Sequence, residues 1–119
     1  MIVWLSRRVI LAIHDEQLAA HGGASGLRDA TLLDSALARP RNRLAYGEPD
    51  LAELAALHAI AIARNHPFID GNKRTALVVC RTFLILNNHN ITATQTEKHQ
   101  AFLTLAAGVL LEPTLAQWL

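Results

Sequence analysis

The sequence predicts an all-α fold, a bundle of five or six helices. Three observations predict it. Hydrophobic residues make up 51% of the chain but aromatics only 5%, so the core has to be built from Leu, Ala, Ile and Val. Apolar residues recur at helical spacing in one segment after another, bounded by capping and breaking residues. No repeat, low-complexity segment or linker divides the 119 residues, which suit one domain, 1–119, with one core.

The opening "MIVWL", rich in β-branched and aromatic side chains, reads as a short N-terminal strand. Ser6 then caps a helix carrying Val9, Ile10, Ile13, Gln17 and Leu18, which Gly22 and Gly23 stop. Asp29 caps a second helix with Leu32, Leu33, Ala36 and Leu37, ended by Pro40. "RPRNRLAYGEPD" reads as a loop with three arginines and a Gly-x-Pro turn signal. Asp50 and Glu53 resemble a capping box, with Asp replacing Ser or Thr, at the start of a third helix from Leu51 to about Asn65. Its Leu54, Leu57 and Ala61, with alanine on almost every other side, mark it as the central buried helix. Pro67 closes it, because the residue before a proline avoids the helical region. A fourth helix begins near Asn72, carries Ala76, Val79, Phe83 and Leu86, and ends at Asn87 and Asn88. Thr96 caps a fifth, with Phe102, Leu103, Ala106 and Val109 inward, and Pro113 opens a last short helix containing Leu115 and Trp118.

Composition narrows function mainly by exclusion. A net charge of +1 offers no broad field for nucleic acid or an anionic membrane, so any cationic site is local. Cys80 is the only cysteine, which excludes an internal disulfide and a CxxC metal site and fits a reducing cytoplasm. The N-terminus places apolar residues before Arg7 and Arg8, the reverse of a signal peptide. The uncharged stretch Leu54 to Ala63 is far short of the ~18 apolar residues of a membrane span.

The chemistry concentrates between the third and fourth helices. Within nine positions, His66 to Arg74, lie a histidine, an aspartate, a lysine and an arginine, with Gly71 in their midst. The first turn of a helix presents N–H groups without intrahelical partners, and the helix dipole adds to their pull on an anion. Gly71 lets a ligand approach the backbone closely. Lys73 and Arg74 oppose the dipole, so stability does not explain them and a bound phosphate chain does. Asp70 beside phosphate becomes useful when Mg2+ bridges the two. His66 can accept a proton near neutral pH. Taken singly, each feature also reads as a turn, a cap or a solvated face; together they equip a site for phosphoryl or nucleotidyl transfer to a hydroxyl. A Walker phosphate loop is excluded, because Asn72 separates Gly71 from Lys73.

"HPFIDGNKR" resembles the signature loop of the Fic/Doc family, H-P-F-x-D/E-G-N-G/K-R, at all eight defined positions. "HGGASGLRDATLLDSALARP" is similar to the upstream segment of the family's death-on-curing (Doc) branch, whereas residues beyond Asn90 match weakly. The resemblance implies an α-helical Fic fold acting on ATP with Mg2+. It implies that His66 activates the target hydroxyl, Asp70 holds Mg2+, Gly71 and Asn72 line an anion hole, and Arg74 binds ATP phosphates. Two departures bear on the reaction. Fic AMP-transferases usually have a second Gly where this chain has Lys73, and a further Arg where it has Leu77. Lysine fills space that glycine leaves open and adds a point charge; losing the Arg removes a bidentate clamp. Doc-type members share both changes. The resemblance therefore implies a toxin that transfers the γ-phosphate to a protein, with elongation factor Tu as target, and is relieved by a Phd-type antitoxin. Transfer of AMP, or a non-catalytic interaction module, are the alternatives. The S/T-x3-E-G/N inhibitory helix of self-inhibited Fic proteins is not found in the sequence, which favours a separate antitoxin.

Further candidates are Arg64, within reach of a phosphate, and Tyr46 and Arg43 in the loop ahead of the central helix, positioned to meet the target chain. Arg81 is expected at the surface. His58 among Ala and Leu reads as a packed core histidine, and Cys80 as a small core residue. His14, His21, His89 and His99 are expected at surfaces or in loops.

Overall fold

The computed structural model describes residues 2–87, which hold four helices: α1 (Arg7–His21), α2 (Ala30–Ala45), α3 (Leu51–Asn65) and α4 (Asn72–Leu86). The helices expected around Thr96 and Pro113 lie outside the described residues. The three expected caps form. Ser6 accepts from the Val9 amide, Asp29 from Thr31 and Leu32, and Asp50 from Glu53 at 2.7 Å. The reciprocal half of the capping box is not made, because Glu53 turns to α2 instead. Arg43 Nε lies 2.9 Å from its Oε2, an ion pair by distance whose angle falls short of a hydrogen bond.

Helix α3 is the axis of the molecule. Every residue from Leu54 to Ala63 is buried. It packs against α2 on one side and α4 on the other, and α1 rests on α4. The alanines at 55, 56, 59, 61 and 63 carry no side chain beyond Cβ, which lets both neighbours approach closely. Leu5, Ile10, Ile13, Leu33, Val79, Phe83 and Leu84 complete the core. Leu86, expected inward, is exposed, and Leu84 takes that place. No helix among the described residues is long and apolar enough to cross a membrane.

Three expectations need correction. Pro40 does not end α2, which continues to Ala45, so the expected loop shrinks to residues 46–50. Proline removes one helical hydrogen bond and crowds the preceding turn. Here Pro40 is itself buried against the rest of the fold, and the turn after it is tied to α3 through Arg43. Tertiary contact outweighs the local preference. Second, residues 2–6 form no strand. Val3 finds its hydrogen bonds on a side chain: its amide donates to Asn87 Oδ1 at 2.9 Å, and Asn87 Nδ2 donates to its carbonyl at 3.0 Å. One amide group does the work of a neighbouring strand. Third, His14 is not at the surface but 2% exposed, beneath the turn between α3 and α4.

His58 is a core residue, as its neighbours imply. Its Nδ1 donates to Leu54 O at 2.7 Å, and its ring packs 4.6 Å from Phe83. Burial pulls its pKa down to about 4, Arg41 adds to the effect, and the bond to Leu54 opposes it. The unfolded chain therefore takes up a proton below the ordinary value of 6.5 that the folded chain refuses until about 4. The stability this residue protects is complete above pH 6.5 and lost as pH falls towards 4. Urea titrations at pH 7 and pH 4 should differ by about 3 kcal/mol through this group, and His58→Met should flatten that component. Cys80 is equally enclosed, and burial pushes its thiol up to about 12, which makes it inert.

Candidate active site

A cavity of about 450 Å3 opens at the junction of α3 and α4, lined by His66, Ile69, Asp70, Gly71, Asn72, Lys73 and Arg74. Its volume lies within the range of small-molecule sites. Its walls come from the turn between the two helices and from the first turn of α4, so the conformation of that turn decides what the cavity presents.

The turn begins with strain. His66 caps α3 in the left-handed region, φ 49° and ψ 56°, and no other described non-glycine residue has positive φ. Such a conformation costs of order 1 kcal/mol and persists only where its surroundings hold it. Arg28 supplies the hold: its Nε donates to His66 O at 2.7 Å and its Nη2 to Asn65 O at 2.8 Å. Asn65 Nδ2 adds a bond to Leu32 O across to α2. The His66 ring is left at the cavity edge, touched by Asn72 Nδ2 at 3.4 Å, a contact too long to hold the imidazole tightly.

Phe68 then dives into the core and pulls the turn down behind it. It is 1% exposed. Its backbone is paired on both sides: it forms an antiparallel bridge with Leu27, and the buried Asn72 amide accepts from Phe68 N and donates to Phe68 O, both at 2.9 Å. Pro67 O accepts from Arg28 N and Asp29 N, and Gly26 O accepts from Ile69 N. The side chain of Asn72 is thus spent on shaping the loop, so what it offers a ligand is its backbone N–H. With Gly71 as N-cap at φ 75°, α4 starts without a side-chain cap, leaving its first-turn N–H groups at the cavity.

Asp70 stands at the rim, its carboxylate Oδ1 accepting from Gly71 N at 3.0 Å and Oδ2 from Ala24 N at 3.3 Å. Gly23 makes room for it, since a Cβ there would come within 2.9 Å of Oδ2. Lys73 and Arg74 are exposed, and neither forms an ion pair among the described residues. Two cations without an ion pair among the described residues therefore flank an uncapped helix start, the arrangement that favours a phosphate. Among the described residues no three His, Cys, Asp or Glu side chains converge as a metal cage. A lone hard carboxylate does not fit zinc, but it fits Mg2+, which takes one or two carboxylates and completes its shell with phosphate and water.

The other expected residues lie elsewhere. Arg64 is not on the cavity wall; it stands beside Arg39, whose guanidinium burial and then the charge of Arg64 hold below its ordinary value. Arg43 is engaged with Glu53, and Tyr46 is 87% exposed at the α2–α3 turn. Leu77, on α4 after Arg74, is half-buried, and Arg81 is exposed. Conversely, His14, Gly23 and Arg28 support the site without having been singled out. For His14 a signal existed: it falls four residues after Ile10 and four before Leu18, on the inward stripe of α1.

A bundle whose central helix ends in a strained histidine, followed by a buried Phe and an uncapped basic helix start, defines a protein class. The profile of the Fic/DOC family matches residues 4–84, and the chain belongs to that family. Two similar proteins carry the Doc name. The chain is 38% identical over 84 residues to "Protein kinase doc" of Escherichia phage P1, covering 70% of this chain and 67% of that one. It is 44% identical over 77 residues to "Toxin Doc" of Mycolicibacterium smegmatis, covering 62% of this chain and 58% of that one.

Proposed function

We propose that this chain is a Doc-type toxin that transfers the γ-phosphate of ATP to a hydroxyl of a protein of the translation machinery. The observation that carries the reading is Lys73 on the cavity wall, where an AMP-transferase of the family would have glycine, with Leu77 in place of a second Arg. The names of its relatives, one a protein kinase and one a toxin, point the same way.

Each residue then has a role. The first-turn N–H groups of α4, with Lys73 and Arg74, bind and orient the phosphates. Asp70 would hold Mg2+, which would supply charge neutralisation for the phosphates. The His66 imidazole takes the proton of the target hydroxyl as its oxygen bonds to the γ-phosphorus. The bond from that phosphorus to the β,γ-bridging oxygen breaks, and ADP leaves. The target in this reading is elongation factor Tu, the place of action the bacterial cytoplasm, and the regulator a Phd-type antitoxin.

Isotope placement tests the reaction. With bacterial lysate and Mg2+, γ-labelled ATP should transfer label to one principal protein and α-labelled ATP should not. Label entering protein only from α-labelled ATP establishes AMP transfer instead.

A further inference from the structure

We infer that His14 is a positioning residue, which sets the direction of the Asp70–Gly71 peptide and through it the carboxylate of the site; the inference rests on the reading above for its kinetic consequence. His14 comes from α1, far from the signature loop in sequence. Its ring is buried and lies flat on Phe68, centroids 3.8 Å apart and planes within 9°. Its Nε2 sits 2.7 Å from the backbone oxygen of Asp70. A carbonyl only accepts, so Nε2 carries the proton.

The consequence follows from peptide geometry. The Asp70–Gly71 unit is planar, with C=O and N–H pointing to opposite sides. Holding the oxygen against α1 aims the Gly71 N–H the other way, towards the cavity that Gly71 lines. There it donates to Asp70 Oδ1, so one peptide orientation sets both the amide and the carboxylate. Glycine at 71 makes this possible, with φ 75° and Leu18 and His14 packed beneath it. The stacked ring also pins Phe68, so His14 holds the turn at two points, one of them the backbone of Asp70 itself.

The test pairs His14→Gln with His14→Leu. Both lose the stacked ring; only glutamine keeps an N–H donor. In nucleotide-free protein, well below the lower of the two melting temperatures, Gly71 amide exchange should run about tenfold faster in the Leu than in the Gln variant. KM for Mg-ATP should rise by a similar factor in Leu over Gln, with kcat changing less. In the wild-type protein, nitrogen NMR of the His14 ring should show a protonated Nε2. Equal Gly71 exchange in the two variants, or an unprotonated Nε2, overturns the inference. If the wild-type protein transfers no phosphate, the functional reading fails, and the exchange comparison and ring spectrum still decide the role of His14.

Discussion

His66→Ala should lower the rate of ATP-dependent protein labelling by roughly 100- to 10,000-fold, the range for loss of a positioned general base. Binding of nucleotide should change little, because the groups proposed to bind phosphate belong to the next helix. The backbone at this position complicates a naive comparison. His66 sits at φ 49°, and a substitution that dislikes the left-handed region would lose the turn as well as the base. Asparagine tolerates that region, so His66→Asn is the cleaner variant. Single-turnover kinetics on both, with thermal melts alongside, read chemistry and fold separately. Retention of full labelling by His66→Asn, with its melt unchanged, would remove the histidine from the reaction.

Phe68→Ala should cost 3–5 kcal/mol of stability, the usual toll for emptying a buried aromatic position. More than volume is lost here. Phe68 is the core anchor of a turn whose other residues are mostly exposed, and its ring is the surface on which His14 lies. Released, the turn keeps only the Arg28 bonds to hold His66 strained and a His14 ring that no longer has its stacking partner. Urea titration should show the lost stability. Nucleotide binding should weaken even at temperatures where the variant remains folded. Phe68→Leu, which refills much of the space, should recover most of the stability but less of the binding, since the flat stack with His14 is gone.

Much of this was legible in the chain because it depends on neighbours in sequence. Ser6, Asp29 and Asp50 cap where they were expected to, since a cap is a bond between residues two or three apart. The alanine-rich stretch around Leu54 declares a helix that must be approached from both sides, and α3 is that helix. The signature loop crowds glycine, cations and an acid at a helix start, and the structure gathers them on one cavity wall. The failures share a cause. The local effect of Pro40 is to end a helix, whereas burial and the Arg43–Glu53 contact carry α2 past it. The propensity of "MIVWL" favours a strand, whereas the partner of Val3 is a side chain 84 positions away.

The sequence by itself determined the four described helices, the order in which they come and the family to which the chain belongs, because helical periodicity, caps and a contiguous nine-residue loop are short-range patterns. Only the tertiary structure decided that His14 lies under that loop, that Arg28 grips the carbonyls of Asn65 and His66, and that Gly23 clears space for Asp70. Each of these contacts joins residues 37 to 56 positions apart, or faces two loops across a gap that one Cβ would close. No spacing rule encodes such a meeting. It arises when α1 and the α1–α2 loop pack against the α3–α4 turn and bring the supports to the chemistry.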